Sequence, residues 1–396
     1  MLVTTAKTFR NAYAGLSPET WLLSLIMLIN RSGTMVMPFM TLYLTSSKMG
    51  YSIGDAGIVF GMFGAGAFCG AWLGGRLTDK IGFYSVQLFT LTVGGGLFMV
   101  LGQMKTYPLI CTFTFLLSFV NEAFRPANST AIAFYSKEGN RTRSYALNRL
   151  AINLGWAVGS ALGGFLADIN YELLFWVDGW TNIGAAFLLW LLLRPANFKP
   201  ILKLTKEEPP AKPAYKDKTF ISFALITMVF ACCFFQLFNN LPVYFRKELG
   251  FSKPFIGIIM AANGLIIVLV EMVLVYKLEG RRKNIFYITL GSFITALSFL
   301  LLNIPVAPVT IAVCMIVLIT FGEILAFPFM NSYWIERAQP ANRGQYAALY
   351  TMAWSAAQII GPVGGSQLAE HAGFNVLWWT VGGICIIASF LYWKIK

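Results

Sequence analysis

Apolar residues gather in twelve runs, near 20–45, 55–75, 84–104, 108–134, 145–168, 172–194, 219–245, 254–276, 285–303, 309–335, 344–369 and 373–394. Each approaches the ~20 residues that a helix needs to cross the hydrocarbon core of a bilayer. The pattern predicts an all-α membrane protein of twelve transmembrane helices. Ser52, with Asp55 three residues on, has the spacing of a capping box at the start of the second span. Residues 195–218 change character, with five Pro and six Lys among few apolar positions. They read as a polar linker between an N-terminal six-helix half, 1–194, and a C-terminal six-helix half, 219–396. Polar residues through Glu19 precede the first run, so the first span is expected to act as its own insertion signal, without a cleaved peptide.

The halves repeat. At an offset of 200, Gly50-Tyr51-Ser52 matches Gly250-Phe251-Ser252, Gly57 matches Gly257, Gly64 matches Gly264 and Asp79 matches Glu279. At 202, Pro126 matches Pro328, Asn140-Arg141 matches Asn342-Arg343, Gly159 matches Gly361 and Asp168 matches Glu370. Offsets of 200 and 202 running through loops and helices alike predict pseudo-symmetric halves, a common transporter architecture.

Composition agrees: 57% of residues are hydrophobic and 12% charged, too few charges to cover a water-soluble surface. The net charge of +13 could suggest nucleic acid, but its placement argues against that reading. With the N-terminus inside, 22 of the 30 Lys and Arg fall in cytoplasmic segments and five in outer loops. That bias orients membrane proteins and places both termini in the cytoplasm. All six cysteines lie in apolar runs and the single histidine is His371, so neither a metal site nor a disulfide framework is expected. No GxxxxGK[ST] loop or Gly-x-Ser-x-Gly elbow is present, which argues against ATP-driven transport, an enzyme or a bound cofactor.

The chain is organised around Gly57–Gly82, where small residues recur every four positions: Gly57, Gly61 and Ala65 in one row, Gly66, Gly70 and Gly74 in another. In lipid such rows mark faces where helix backbones approach closely. The segment ends in Gly75-Arg76-Leu77-Thr78-Asp79-Lys80-Ile81-Gly82. Gly75-x-x-x-Asp79-x-x-Gly82 resembles the signature loop between helices 2 and 3 of the major facilitator superfamily of secondary transporters. The resemblance implies that Asp79 belongs to a charge-relay and helix-dipole lock, with Arg76 and Lys80 as partners. The family's basic cluster after the second Gly is replaced here by Phe83-Tyr84-Ser85-Val86-Gln87. In the fifth span, Gly155-x-x-x-Gly159-Ser160-x-x-Gly163-Gly164 resembles the glycine motif of the drug:proton antiporter branch, with Ser160 where that motif has Pro. The eleventh span carries a related Gly361-Pro362-Val363-Gly364-Gly365. Tight helix packing accounts for both stretches equally well.

An ionised side chain at mid-bilayer costs about 2.5–3.5 kcal/mol on insertion scales, so such residues should face partners or a water-filled cavity. Arg31 lies in span 1. Glu122 and Arg125, three apart in span 4, share a helix face. In the superfamily both spans line the central cavity, which implies a network of Arg31, Glu122 and Arg125 joined by Asn30 and Asn128. A static ion pair is the alternative. Glu323 in span 10 has no basic residue on its own helix until Arg337, and a buried carboxyl is suited to taking and releasing a proton. Glu323 and Glu122 are the expected proton-coupling residues, and a protonated structural Glu is the alternative for the former. Glu271 in span 8 reads as a structural partner of Lys277. Span 7 carries Gln236, Asn239 and Asn240 before Pro242, uncharged amides that can bind substrate.

These readings converge on a monomeric transporter in a bacterial cytoplasmic membrane whose partners are protons, lipid and a small-molecule substrate. Proton-coupled export of amphipathic compounds is the first expectation. Uptake of a small polar or anionic nutrient by proton symport is the second, since two cavity arginines suit an anion. A non-transporting sensor with a transporter fold is disfavoured by the short linker and tails.

Overall fold

The computed structural model describes residues 15–136, 141–193, 213–278, 280–338 and 343–395, and throughout them the regular structure is helical. In chain order the helices are α1 (Pro18–Ser32), α2 (Val36–Leu44), α3 (Ile53–Ile81), α4 (Phe83–Leu101), α5 (Tyr107–Tyr135), α6 (Arg141–Ile169), α7 (Glu172–Leu192), α8 (Lys218–Phe234), α9 (Asn240–Lys247), α10 (Lys253–Leu278), α11 (Asn284–Leu301), α12 (Pro308–Arg337) and α13 (Arg343–Lys394). Among the described residues, eleven helical segments are long and apolar enough to cross a membrane, with α1–α2 counting as one and α8–α9 as another. The last, α13, is 52 residues long and leaves helical geometry at Gly373, where φ is 84° and ψ 165°. Only glycine adopts that conformation without strain.

Local chemistry sets the helix ends. Ser17 caps α1 by accepting from the Thr20 N–H at 3.2 Å, and Pro18 opens the first turn, where its missing N–H costs nothing. Ser52 and Asp55 form the reciprocal capping box, with Ser52 N–H donating to Asp55 Oδ2 at 3.1 Å and Asp55 N–H to Ser52 Oγ at 3.0 Å. The matched Gly50 and Gly250 share the left-handed conformation, with φ of 71° and 68°.

The chain groups into two compact units: residues 1–36 with 66–203, and 37–65 with 204–396. In the first, α1 packs on α6 and α7, and α4 on α5 and α7. Its core holds Leu23, Ile26, Met27, Phe83, Phe124 and Leu189. In the second, α8 packs on α13, and α11 on α12 and α13. Its core is aromatic: Phe299 stacks on Trp378 with ring centroids 5.9 Å apart, and Phe223 contacts Tyr333 at 4.4 Å.

The glycine rows of α3 pack as their spacing predicts, one row in each unit. Gly57 and Gly61 lie on α13, where an added Cβ at Gly57 would meet Ser366 and one at Gly61 would meet Val363. Gly66, Gly70 and Gly74 lie on α5, against the carbonyls of Phe115 and Phe119 and the backbone of Ala123. The neighbouring Gly64 has a further use. Pro362 deprives the Gln358 carbonyl of its helical donor, and a Cβ at Gly64 would stand 2.8 Å from that oxygen.

Candidate substrate and proton site

Span 1 is broken between α1 and α2 at residues 33–35. The break leaves the first N–H groups of α2 without helical partners. Asp178, fully buried in α7, supplies them: Met35 N–H donates to Oδ1 and Oδ2, each at 3.0 Å, and Val36 N–H to Oδ2 at 2.9 Å. One turn further along α7, Asn182 donates to the Asp178 carbonyl at 2.7 Å and accepts from Asn30 at 2.8 Å. Asn30 is therefore part of the support for the broken span.

Arg31, next to it, sits where α6 comes closest to α1. A Cβ on Gly155 would lie 2.6 Å from Arg31 Cβ, and one on Gly159 would lie 2.9 Å from the Ser32 carbonyl oxygen. Gly163 is buried on the same helix. The glycine motif of span 5 thus lets α6 lie on the turn that carries Arg31. The Arg31 Nε is buried and has no hydrogen-bond partner among the described residues. Glu122 and Arg125 are within its electrostatic reach. Those two pair as their spacing predicts, Arg125 Nε to Glu122 Oε2 at 3.0 Å. The Glu122 side chain is 10% exposed and that of Arg125 65%, so the carboxylate is enclosed while the guanidinium reaches outward. Pro126 follows within α5 and frees the carbonyl of Glu122 itself. Asn128 faces elsewhere, accepting from Gln87 at 3.1 Å and donating to Asn148 at 3.3 Å in a buried amide chain across α4, α5 and α6.

In the other unit, Glu323 on α12 accepts from Asn263 of α10 at 3.3 Å, and the same amide donates to Thr320 at 3.0 Å. One helical turn on, Phe327 shares the Glu323 face and contacts Trp354 at 5.0 Å and Phe234 at 4.8 Å. Tyr350 extends this aromatic surface at 6.3 Å from Trp354.

Span 7 is also broken, by a tight turn over Phe235–Leu237 between α8 and α9. Its three amides are buried and bonded to protein. Gln236 donates to the Gly361 carbonyl at 2.8 Å, and Asn240 donates to Gln236 at 2.5 Å. Asn239 donates to Ser366 at 2.7 Å and to the Pro362 carbonyl at 3.3 Å, and accepts from Thr41 at 2.6 Å. Ser366 returns a bond to Asn240 at 3.2 Å. Gly361 lies against the Cys232 carbonyl, where a Cβ would stand 2.7 Å away. To bind a substrate in this conformation, the amides would first have to leave these partners.

The stretch 75–81, expected as a loop, continues α3 to Ile81, because no Pro and no positive-φ glycine interrupts it before Gly82. There Arg76 stacks on Trp72 at 3.9 Å, Lys80 is exposed, and an added Cβ on Gly75 would meet nothing. Gly82 turns the chain at φ 87°. The Asp79 side chain lies outside the described residues. At the N-terminus of α8, Asp217 joins three helix ends: it caps α8 through Phe220 N–H at 3.1 Å and accepts from Arg337 of α12 at 2.9 Å and from Tyr346 of α13 at 2.9 Å. Burial alone would raise the Asp217 carboxyl, but the Phe220 N–H, the Arg337 guanidinium and the Tyr346 hydroxyl outweigh it and hold the group below its usual range. Among the described residues no cluster of His, Cys, Asp and Glu could hold a metal.

Sequence reasoning missed Asp178, Asn182, Gln87, Asn148 and Asn263. Asp178 carried a usable signal, a carboxylate within the apolar Phe175-Trp176-Val177-Asp178-Gly179-Trp180.

Comparison with known proteins follows the same lines. The profile of the Major Facilitator Superfamily matches residues 20–362. A Na(+), Li(+), K(+)/H(+) antiporter of Planococcus maritimus is 22% identical over 92% of this chain and 92% of its own length. The quinolone resistance protein NorA of Staphylococcus aureus is 22% identical over 58% of this chain and 59% of its own. A solved POT family transporter in complex with 5-aminolevulinic acid superposes with a TM-score of 0.82 at 16% identity, covering 96% of both chains. That likeness is one of fold.

Proposed function

Because the chain belongs to the Major Facilitator Superfamily, a family of transporters and not of enzymes, we propose that it exports amphipathic compounds in exchange for protons by alternating access. The observation that carries this reading is Glu323. It stands one turn from the Phe327–Trp354–Tyr350 surface and is held by the neutral Asn263. A carboxylate against aromatic rings takes a cationic, apolar compound. The same carboxyl takes a proton, and it cannot hold both at full strength, which is the competition that antiport requires. The names of the antiporter and of NorA support the direction.

In this reading α13 supplies spans eleven and twelve on either side of Gly373, giving two six-helix halves, 1–194 and 219–396, around the linker 195–218. In the same reading both termini and the linker lie in the cytoplasm, as the Lys and Arg bias favours, and the protein is a monomer of the inner membrane. The bonds of Thr41 to Asn239, and of Asn239 to Ser366, form a lock on the outer side that parts when the cycle opens outward, freeing Gln236, Asn239 and Asn240 for substrate. Glu122 is the second proton-coupling residue. Asp79, Arg76 and Lys80, between Gly75 and Gly82, set the rate of the return, so Asp79→Asn slows cycling. The glycines of α6 and α13, with Pro362, keep the sliding helices close.

A second reading rests on Arg31. Its unpartnered Nε, with the Glu122–Arg125 pair beside it, makes a group of net positive charge suited to an anionic nutrient taken up with a proton. Liposomes holding the purified protein and an interior pH dye separate the two. Protons leaving the compartment that a lipophilic cation enters, abolished by Glu323→Gln, support antiport. Protons moving together with an added organic anion, lost in Arg31→Ala, support symport and overturn the export reading.

A further inference from the structure

A groove of about 1230 Å³ opens between the start of α11, the end of α12 and the end of α13, larger than the ~300–1,000 Å³ of most small-molecule sites. It lies apart from Glu323 and the amide cluster of the same unit. Its walls are apolar and aromatic, with Phe286 and Leu290 from α11 and Phe390 and Trp393 from α13, and all four side chains are exposed, Trp393 by 69%. Its mouth is basic. Arg282 and Lys283 line it, and Arg337 does too but is taken by Asp217. The acid there is Glu336. The Arg282 guanidinium rests 5.6 Å over the Phe286 ring, and Lys394 4.6 Å over that of Phe390. Cations at one end of an aromatic trough thus sit on both walls, at the ends of membrane-crossing segments.

We propose that this groove binds an anionic phospholipid, its phosphate held by Arg282 and Lys283 and its acyl chains laid along Phe286, Leu290 and Phe390. A soluble anion would use the mouth and leave the exposed aromatic walls unfilled. A zwitterionic lipid would fill the walls but bring no net charge to match the cations. The proposal rests on the orientation given above only for its leaflet, the cytoplasmic one, where anionic headgroups concentrate.

The test uses the full chain in nanodiscs of equimolar phosphatidylglycerol and phosphatidylcholine, with the lipids that stay bound counted by native mass spectrometry. The wild type is expected to retain phosphatidylglycerol preferentially, by roughly fivefold for each cation engaged. Arg282→Gln with Lys283→Gln should bring the ratio close to that of the bulk lipid, whereas Arg246→Gln with Lys247→Gln, at the opposite ends of the spans, should leave it unchanged. Both groove cations are exposed, so the double variant is expected to fold. In the wild type, phosphatidylglycerol brominated on its acyl chains should quench the emission that Trp393→Phe removes, more than brominated phosphatidylcholine does. Equal retention of the two lipids by the wild type, or an unaltered preference in the groove variant, overturns the site. Labelling of Lys283→Cys from the outside alone would overturn the orientation and leave the lipid preference standing.

Discussion

Span 1 breaks at residues 33–35 and span 7 at 235–239, positions close to the 200–202 offset of the chain's other matched landmarks, yet the two breaks are closed by different chemistry. The first is closed by one carboxylate, Asp178, acting on two backbone N–H groups. The second is closed by a ring of neutral side chains: Gln236, Asn239 and Asn240 with Thr41 and Ser366. A buried N–H left without an acceptor costs about 1–3 kcal/mol, and the Asp178 side chain satisfies two of them at once. Neutral side-chain bonds between membrane helices average about 0.6 kcal/mol. The first closure is built to persist. The second totals a few kcal/mol at most, the size of change that substrate or proton binding can supply. In the proposed exchange cycle the contrast would make the first break a support and the second the part that moves.

The largest expected effect is at the clamp. Asp178→Ala leaves two buried N–H groups without an acceptor and should lower stability by about 3 kcal/mol or more, read as a fall in the detergent-solubilised unfolding midpoint. Asp178→Asn, which keeps one acceptor oxygen, should fall by about half as much; a drop no larger than that of Asn239→Ala would erase the contrast. Next is Gly155→Val, which forces α6 off the Arg31 turn at a cost of about 1–3 kcal/mol and should weaken transport along with stability. Smaller still in stability is Asn239→Ala, about 1 kcal/mol, but it should shift the balance of states and change the apparent substrate affinity measurably.

How far these features could be read in advance depends on where their partners lie. The first ten apolar runs matched membrane-capable helices to within a few residues, because bilayer length is a strong constraint, while the runs 344–369 and 373–394 fall within the single segment Tyr346–Lys394. The rows Gly57–Gly61 and Gly66–Gly70–Gly74 marked real packing faces, because small residues at a spacing of four leave a trace in the chain itself. The Glu122–Arg125 pair was legible because three residues separate its members. Asp178 was not, because its partners are backbone N–H groups more than 140 positions away, and a backbone donor leaves no mark in a sequence. Gln236, Asn239 and Asn240 were legible as polar residues in an apolar span, but their partners Thr41 and Ser366 are of types too common in membrane helices to stand out. Asn263, beside Glu323, was passed over because a single amide inside an apolar run carries no charge.

The smallest effect belongs to the Asp217 clamp, and it depends on pH. The folded carboxyl lies below its unfolded value of about 3.9, so the stability it contributes is fully present above that value and is lost as pH falls through the lower folded one. The difference in unfolding midpoint between wild type and Asp217→Asn should therefore be flat from pH 8 to 5 and shrink only below about pH 4. A difference that shrinks between pH 7 and 5 would contradict the network.

The claim that the span 7 ring opens while the span 1 clamp stays closed can be tested directly by thiol reactivity. Ser366→Cys and Met35→Cys, both at buried positions, would be placed separately in a chain otherwise lacking cysteine. Each would be exposed to a membrane-impermeant maleimide from the outer side, with and without a proton gradient and a transported compound. The account predicts that the thiol at position 366 reacts several-fold faster during turnover, while that at position 35 stays inert. A thiol at position 366 that remains unreactive throughout a demonstrated transport cycle would contradict it.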